Sequence, residues 1–495
     1  MQQTHTSGAR PWPLAIAVGA LSATVAFTVG GVGTAAAGDD DRGQGPHAQG
    51  KAQNAILFIG DGMGVAARNA GALATVGLEG ELVMDSLPYA GLVKTDSADP
   101  EGFITDSAAG ATSYASGVKT YNGAIGLDAE GNEVETLIEQ AEAAGLSTGL
   151  VTTGEITDAS TAAFGAHVED RDMQTEIARQ YIEETGVDVL LGGGEDFWYP
   201  AGDEGAIEGG EGLSDQGDLV QRAEELGYGY VSDAEGLAAA EGDQLLGLFA
   251  NRTMFVSEPE PVGTNERIVS LAEMTQKAVD VLSRNEEGFL LIVEEEAVDE
   301  QGHANNAEKT IEAVALMDEA VAVAEEFAER DDDTLLVTTA DHETGGMAVE
   351  DTGTEDESGI PPSTEDGPFD IAGSEFQFVV DWTTSGHTNA DVPLTAMGPG
   401  AERLSGYYDN TFVHQVVQES LFSGPTSGGD GPGTVVTRDQ VLRWLNRVDF
   451  PIAGSDLVQA VRDHGAPEAV VAELERRLGD ETFEGIGDVT RALGR

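Results

Sequence analysis

Short, mainly apolar runs recur along the chain from about residue 54, and longer stretches with helical periodicity separate them. Uninterrupted apolar runs of this length are typical of strands that are buried on both faces. They lie at residues 56–59, 148–152, 187–191, 289–293, 335–338 and 392–397. Amphipathic stretches at residues 133–144 and 307–330 have the spacing of helices that cover a sheet. The pattern predicts an α/β fold in which a doubly wound, mostly parallel sheet carries helices on both faces.

Acidic residues follow four of these predicted strands. Asp61 follows the first strand, Asp158 the second, Glu294 the fourth and Asp341 the fifth. In open α/β sheets, ligands bind beyond the carboxyl ends of the strands. We therefore expect these carboxylates to meet at one edge of the sheet.

The N-terminus departs from the α/β pattern. Residues 1–37 combine Arg10, an apolar stretch at residues 14–29 and three alanines at residues 35–37. This order of basic, apolar and small residues predicts a signal peptide, and therefore export to the medium or the cell envelope. The apolar stretch is short and rich in small residues for a membrane span, and an uncleaved anchor is the alternative interpretation.

Composition divides the rest of the chain into four parts. Residues 38–52 are interpreted as a flexible linker, residues 53–423 as the α/β domain and residues 424–437 as a second linker. Residues 438–495 are rich in arginine and helical in periodicity, which predicts a small helical domain. It resembles a domain of unknown function in other prokaryotic proteins, and no residue in it suggests chemistry.

Two acidic, glycine-containing segments within the α/β domain are predicted to be loops. Residues 192–218 contain Phe197, Trp198 and Tyr199, which we expect to anchor the loop through apolar contacts. Residues 350–374 lie in the sequence between residues of the types that bind metals, so we expect this loop to form a rim or lid of the site.

The chain is extremely acidic. Its formal net charge of −66 comes from 90 acidic and 24 basic residues, and the acids are spread along the whole length. Such a surface repels nucleic acids and anionic membranes, and its self-repulsion calls for screening by salt. We infer a halophilic source, with calcium binding or an acidic tail as alternatives. Cysteine is absent, which excludes disulfides and thiolate metal ligands.

Ser107 stands at the start of a run of small residues that can form a helix. Asp106 precedes it as a possible N-cap. The Ser107 hydroxyl would then lie at a helix N-terminus, where unpaired N–H groups and the helix dipole favour a phosphate.

Imidazoles and carboxylates occur together in several short motifs. Three of the eight histidines stand in such contexts: His303 four residues after Asp299, His342 directly after Asp341, and His387. Mixed sets of this kind are what borderline cations such as zinc require. With Asp61 they provide two three-ligand sites with open positions. Asp61, Glu294 and a hydroxyl near Asp158 provide a third site made of oxygens, which suits Mg²⁺.

Taken together, the motifs of residues 54–422 closely resemble those of the alkaline phosphatase family in type, spacing and order. They are residues 60–64 (Gly-Asp-Gly-Met-Gly), 105–112 (Thr-Asp-Ser-Ala-Ala-Gly-Ala-Thr), 158–160 (Asp-Ala-Ser), 167–171 (His-Val-Glu-Asp-Arg), Glu294 with Asp299 and His303, Asp341-His342, and His387-Thr388.

The resemblance implies a role for each matching residue in the hydrolysis of small phosphate monoesters. Ser107 would be the nucleophile that forms a phosphoserine, and Arg171 would bind two phosphate oxygens. One zinc would be held by Asp299, His303 and His387. The second zinc would be held by Asp61, Asp341 and His342. One Mg²⁺ would be held by Asp61, Ser160 and Glu294, with Asp158 near its water shell. Family members are commonly dimers, so a homodimer is expected.

Two positions depart from the family pattern. Glu300, which would face the substrate phosphate, stands where well-known bacterial members carry Lys and animal members carry His. A carboxylate there should weaken phosphate binding, unless it is a solvated surface acid. Ser160 replaces a Thr and keeps the hydroxyl.

Two other functions remain possible from the sequence. One is a phosphodiesterase or phosphonate hydrolase of the same superfamily, which shares the two-metal core. The other is a secreted, non-catalytic protein that binds metal or phosphate.

Overall fold

The computed structural model describes residues 51–255, 268–352, 366–422 and 452–463, together with positions 471, 474, 478, 482, 483 and 489. The strands within these residues are β1 (Asn54–Gly60), β2 (Tyr89–Lys94), β3 (Ser147–Glu155), β4 (Val189–Gly193), β5 (Gly229–Val231), β6 (Leu245–Leu248), β7 (Phe289–Glu295), β8 (Thr334–Thr339), β9 (Glu343–Thr344), β10 (Met347–Asp351), β11 (Asp366–Asp370), β12 (Gln377–Trp382), β13 (His387–Thr388), β14 (Val392–Met397), β15 (Gly406–Asp409), β16 (Ile452–Ala453) and β17 (Thr482–Phe483).

Helices surround the strands. The α-helices are α1 (Val65–Thr75), α2 (Val83–Ser86), α3 (Ser107–Ser116), α4 (Leu137–Ala144), α5 (Ala159–Gly165), α6 (Gln174–Gln180), α7 (Leu219–Leu226), α8 (Ala234–Ala239), α9 (Leu271–Leu282), α10 (Ala297–His303), α11 (Ala307–Arg330), α12 (Thr411–Phe422) and α13 (Gly454–Asp463). A π-helical turn continues α6 at Tyr181–Thr185, and 3-10 helices lie at Glu195–Phe197 and Ala401–Leu404.

One large sheet organises the α/β domain and confirms the predicted fold class. Its ten strands have the order β15-β2-β14-β8-β1-β7-β3-β4-β6-β5. Every neighbouring pair in it is parallel except the two pairs that include β14, which runs antiparallel to both β2 and β8. The predicted strand at residues 392–397 is thus present, and it is the antiparallel member of the sheet.

Burial explains why the central strands could be predicted from the sequence. Every residue of β1, β7 and β8 is buried, so helices cover both faces and apolar side chains are favoured on both. Helix α11 has the predicted bounds, and Asn306 caps it by accepting from the Lys309 N–H. Helix α4 begins later than expected because Thr136 and Glu139 form a capping box at its start.

Some predicted elements differ from the structure. Strand β4 begins at Val189 rather than at residue 187. The segment predicted to be a loop at residues 350–374 includes strand β11 and the end of β10, which form a small antiparallel sheet with β12 in the order β10-β12-β11. Of the predicted loop, residues 353–365 lie outside the described residues. In the other predicted loop, Trp198 is fully buried, as expected of an apolar anchor.

The two ends of the chain are described only in part. The predicted signal peptide and the second linker lie outside the described residues, as does most of the first linker. Ala52 at the end of that linker is buried, and its N–H donates to the Ser420 carbonyl. In the C-terminal segment, α13 follows β16, which pairs with β17. No helix among the described residues combines the length and apolar character needed to cross a bilayer.

Candidate active site

Four neighbouring strands of the large sheet carry the predicted ligands to one edge. The strands β8, β1, β7 and β3 are adjacent, parallel and in register. Their carboxyl ends lead to Asp341 and His342, to Asp61, to Glu294, and to Asp158 and Ser160, respectively. The edge predicted from the sequence therefore exists, and its acids come from segments that are far apart in the chain.

Asp61 lies at the centre of this edge. Its side chain is buried, Ser160 Oγ donates to its Oδ2 over 3.3 Å, and its Oδ1 lies 3.2 Å from His342 Nε2. Burial raises the pKa of Asp61, and the carboxylates of Asp341 and Asp299 raise it further. An isolated carboxylate would be costly at this position, so the site favours positive charge beside it.

Asp341 and His342 are fully buried after β8. The N–H groups of Gly62 and His342 both donate to Asp341 Oδ1, while Asp341 Oδ2 lies 3.6 Å from His342 Nε2. Burial raises the pKa of Asp341 to about 7 and lowers that of His342 well below its ordinary value. Gly62 has a φ of 66°, and a Cβ there would lie 2.6 Å from Asp299 Oδ1. Only glycine fits this turn.

Asp299, His303 and His387 form a second cluster next to the first. Asp299 and His303 share a face of α10, as their spacing predicted, and His303 Nε2 lies 3.2 Å from Asp299 Oδ2. His387 Nε2 lies 3.1 Å from His303 Nε2 and 3.6 Å from Asp299 Oδ1. The His387 ring stacks on the ring of His342, with 3.7 Å between the centroids.

Hydrogen bonds orient the rings of His303 and His387 so that their Nε2 atoms face each other. His303 Nδ1 donates to the Ser385 carbonyl, and His387 Nδ1 donates to the Thr105 carbonyl. These bonds favour the tautomer whose Nε2 carries a lone pair. Burial alone would raise the pKa of Asp299, but His303 and the neighbouring imidazoles hold it below its usual range. Asp299 in turn raises the pKa of His303 to about 9, so a cation there would replace a proton.

Ser107 is the first residue of α3, as predicted. Asp106 caps this helix by accepting from the Ala109 N–H, and Ser107 is buried with its Oγ 3.2 Å from His342 Nε2. A Cβ at Gly110 would lie 3.0 Å from the Asp341 carbonyl oxygen, so α3 packs closely on the segment that carries Asp341. The Ser107 hydroxyl therefore lies both at a helix N-terminus and next to the cluster of predicted ligands.

Two carboxylates hold the Arg171 side chain, and one of them belongs to Asp106, the residue before Ser107. Its Nη2 donates to Asp158 Oδ1 over 3.0 Å, and its Nη1 donates to Asp106 Oδ2 over 3.4 Å. Burial would lower the pKa of Arg171, but Asp158 and Asp106 raise it above the ordinary value. The guanidinium therefore stays charged, and its planar fork is a group that can donate to two oxygens of one anion.

Glu294 supplies the oxygen-rich side of the site. It is buried, and Thr152 Oγ1 donates to its Oε2 over 2.7 Å. Burial raises the pKa of Glu294 to about 8, although hydrogen bonds from Thr152 and Ser160 oppose the rise. Ser160 therefore lies between Asp61 and Glu294, as the third predicted site requires.

Glu300 lies on α10, one residue after Asp299, and is half-buried. Burial raises its pKa, and Asp299 and Asp158 raise it further, whereas His303 and Arg171 oppose this. A negative charge at this residue thus lies within electrostatic reach of the Arg171 guanidinium.

The donor set fits bound cations. Asp61 Oδ1 and Asp341 Oδ2 are buried and have no hydrogen-bond partner within the part of the chain that the structure describes, and they lie 3.2 Å and 3.6 Å from His342 Nε2. Two groups within the described residues have ligand atoms close enough to share one ion: Asp299 with His303 and His387, and Asp61 with Asp299 and His342. The second group contains Asp299 where the sequence predicts Asp341, so Asp299 lies between the two predicted ligand sets.

Several residues that shape the site escaped the sequence analysis. Thr344 Oγ1 contacts Asp299 Oδ1 and His342 Nδ1, the Thr105 carbonyl orients His387, and Asp106 holds Arg171. Backbone carbonyls and lone hydroxyls give no sequence signal. The contact of Asp106 with Arg171 could have been predicted. A capping carboxylate next to an expected phosphate site is well placed to orient an arginine.

Comparisons with known proteins agree with this geometry. The model of the alkaline phosphatase family matches residues 52–357, and a model described as a protein of unknown function (DUF2795) matches residues 436–490. The chain is 31% identical to alkaline phosphatase 3 of Bacillus subtilis over 469 residues, which cover 82% of this chain and 96% of that protein. It is 33% identical to the alkaline phosphatase of Escherichia coli over 419 residues, which cover 75% and 86% of the two chains.

A solved structure is similar over the same region. It is a variant of the alkaline phosphatase from the Antarctic bacterium TAB5 with bound magnesium. The superposition has a TM-score of 0.61 at 28% identity, and it covers 75% of this chain and 98% of that chain.

Proposed function

Because the chain belongs to the alkaline phosphatase family, we propose that it hydrolyses small phosphate monoesters through a phosphoserine on Ser107. One observation carries this proposal. The Ser107 hydroxyl, at a helix N-terminus, lies 3.2 Å from His342 Nε2 and beside the cluster of Asp61, Asp299 and His387. A metal-storage protein has no need for a hydroxyl in that place.

The proposed cation sites follow the three groups of donors. One zinc is assigned to Asp299, His303 and His387. The other is assigned to Asp61, Asp341 and His342. One Mg²⁺ is assigned to Asp61, Ser160 and Glu294, with Asp158 near its water shell. Cations bound there would lower the cost of ionising a serine hydroxyl and neutralise charge on the attacking and leaving oxygens.

The residues of the chain itself bind and orient the ester. Arg171 donates to two phosphate oxygens, and the N–H groups at the start of α3 donate to the same anion. Ser107 Oγ attacks phosphorus, the Oγ–P bond forms, and the bond between phosphorus and the ester oxygen breaks to release the alcohol. Water then cleaves the Oγ–P bond and phosphate leaves. Arg171 keeps the reacting group in place during both steps, while Asp61 and His342 would hold the cation beside Ser107.

The remaining predictions about the chain join this proposal. We propose that residues 1–37 direct export, that residues 53–423 form the catalytic domain, and that residues 438–495 form an accessory domain. A homodimer and a halophilic source complete the proposal. The acidic surface supports the last point, as it does the prediction that nucleic acid is not a partner.

Substitution of Ser107 tests the proposed function. In the metal-loaded protein, we expect Ser107→Ala to lower the hydrolysis of p-nitrophenyl phosphate by roughly 10³-fold or more, because the nucleophile is lost. Ser116→Ala is the matched control, since its hydroxyl lies on the same helix but donates to the Thr112 carbonyl. Metal content, measured by mass spectrometry, should stay constant in both variants.

Two results would contradict the proposal. Activity retained in Ser107→Ala would exclude the phosphoserine route. Faster hydrolysis of bis(p-nitrophenyl) phosphate than of the monoester would favour the phosphodiesterase alternative.

A further inference from the structure

The buried hydroxyl of Thr344 contacts one residue of each predicted zinc set. Thr344 Oγ1 lies 3.2 Å from His342 Nδ1 and within hydrogen-bond distance of Asp299 Oδ1. His342 is assigned to one set and Asp299 to the other, so a single side chain joins the two sets. The proposed chemistry does not use this hydroxyl.

Backbone and packing contacts fix the position of Thr344. The residue is only 4% exposed, and its N–H donates to the Gly62 carbonyl over 3.1 Å. It pairs with His387 where β9 meets β13. A Cβ at Gly302 would lie 3.1 Å from Thr344 Cγ2, so α10 packs closely against the methyl group. The hydroxyl is therefore held in the orientation that gives its two contacts.

The direction of the two hydrogen bonds follows from the groups that form them. A carboxylate that serves as a metal ligand is ionised and can only accept, so the Thr344 hydroxyl donates its one proton to Asp299 Oδ1. The hydroxyl oxygen must then accept from His342, which places a proton on Nδ1. In the neutral ring, the other nitrogen, Nε2, is left with a lone pair.

This lone pair of His342 is directed at the rest of its predicted set and at the nucleophile. Nε2 lies 3.2 Å from Asp61 Oδ1, 3.6 Å from Asp341 Oδ2 and 3.2 Å from Ser107 Oγ. In the other tautomer, Nε2 would carry a proton and donate it to Asp61, and that atom could no longer act as a metal ligand. The tautomer of His342 thus decides whether its set offers two ligands or three.

We propose that Thr344 is a positioning residue, which fixes the tautomer of His342 so that Nε2 is available to a cation. The inference rests on the proposed function, because that function assigns a cation to Asp61, Asp341 and His342. The loss of an outer hydrogen bond of this kind typically weakens metal binding by roughly tenfold to a hundredfold. We expect the Thr344 hydroxyl to contribute a factor of that size.

The other two imidazoles of the site obtain the same tautomer without a hydroxyl. His303 and His387 both donate to backbone carbonyls, which can only accept. A hydroxyl can donate or accept, so Thr344 acts as an acceptor for His342 because Asp299 takes its proton. One chain of hydrogen bonds therefore links the two predicted zinc sets.

Zinc affinity tests this inference. Bound zinc is measured by mass spectrometry on the full chain at a series of buffered free Zn²⁺ concentrations. In Thr344→Val, which keeps the shape of the side chain but lacks the hydroxyl, we expect one of the two zinc ions to need roughly 10 to 100 times more free Zn²⁺. Thr344→Ser keeps the hydroxyl and should restore most of the affinity. The control is Thr338→Val, because the buried Thr338 hydroxyl contacts Thr395.

The proton on His342 Nδ1 provides a readout that depends on neither affinity nor activity. Its NMR signal is followed in the zinc-loaded protein with ¹⁵N-labelled histidine, and the absence of the signal in His342→Gln assigns it. We expect the same position in wild type and Thr344→Ser, and an upfield shift in Thr344→Val, because the N–H loses its acceptor.

Two results would overturn the inference. One is an unchanged zinc affinity in a folded Thr344→Val, and the other is an equal loss in Thr344→Val and Thr344→Ser, since a residue that only packs would give it. Circular dichroism checks the fold, and Thr344→Ala provides a second chain without the hydroxyl. A wild type that does not hydrolyse monoesters, with the expected zinc loss in Thr344→Val, would contradict the proposed function alone.

Discussion

At the scale of single residues, Glu300 departs from the family pattern near Arg171, which binds the phosphate in the proposed function. The carboxylate opposes the charge of Arg171, which orients the substrate in the proposed function. We expect Glu300→Lys to lower the inhibition constant of inorganic phosphate by roughly tenfold, or about 1.4 kcal/mol, because a like-charge contact becomes an attraction.

The measurement is competitive inhibition of p-nitrophenyl phosphate hydrolysis at matched salt. Glu308→Lys makes the same charge change at an exposed residue of α11 and should leave the inhibition constant nearly unchanged. Unaltered inhibition in Glu300→Lys would mean that Glu300 is only a solvated surface acid.

Arg171 provides a second residue-scale prediction. Its guanidinium spans Asp106 and Asp158, and an ammonium cannot form both contacts while holding two phosphate oxygens. We expect Arg171→Lys to raise the KM for p-nitrophenyl phosphate about tenfold. Steady-state kinetics would show this, with Arg179→Lys as the control because Arg179 pairs with Glu176, Glu183 and Glu184 on the surface. A KM equal to that of the wild type would remove Arg171 from substrate binding.

Some side chains of the site could be predicted from the sequence and others could not. Asp61, Asp341 and His342 were predictable because they directly follow buried strands and so must reach the edge of the sheet. Thr344 and the carbonyl of Thr105 were not, since their contacts depend on how separate loops approach each other.

At the scale of elements, the packing of α12 on α3 includes a buried imidazole. His414 Nδ1 donates to the Ala115 carbonyl, and burial lowers the pKa of His414 to about 4. The unfolded chain binds the proton with a pKa near 6.5. The folded protein therefore loses stability as the pH falls from about 6.5 to about 4, and this group contributes about 2 kcal/mol of that loss by pH 5.

Urea unfolding at pH 7.5 and at pH 5 checks this prediction. The decrease in unfolding free energy between the two pH values should be smaller in His414→Gln than in the wild type. His167→Gln is the control, because Glu139 and Gly126 raise rather than lower the pKa of His167. An identical decrease in His414→Gln and wild type would show that His414 does not couple protonation to folding.

Strands and helices could be predicted where a single pattern of apolar residues dominated the segment. The strands β1, β7 and β8 are buried throughout, so their sequences are uninterrupted apolar runs. Strand β2 was missed because its residues are largely half-buried or exposed and its composition is mixed. Strand β11 and the end of β10 lie within the loop predicted at residues 350–374 for the same reason: these strands are mostly partly exposed and include acids and glycine.

At the scale of the whole molecule, the net charge of −66 opposes folding by self-repulsion. The Debye length falls from about 10 Å at 0.1 M salt to about 3 Å at 1 M, so salt screens this repulsion. We expect the Tm of the metal-loaded protein to rise by at least about 10 °C between 0.1 M and 2 M KCl. Calorimetry would measure the shift, with the Escherichia coli relative as a reference. A Tm that is constant or falls with KCl would contradict a salt-adapted surface.

The arrangement of the ligands along the chain has a consequence for biosynthesis. Asp61 follows the first strand, whereas His387 belongs to one of the last strands of the α/β domain. In the proposed function, a chain still being translated cannot turn over substrate until His387 has left the ribosome and β13 has paired with β9. The time course of recovered hydrolysis after dilution from denaturant should therefore follow the last long-range strand pairing to form. Turnover thus measures how fast folding is completed.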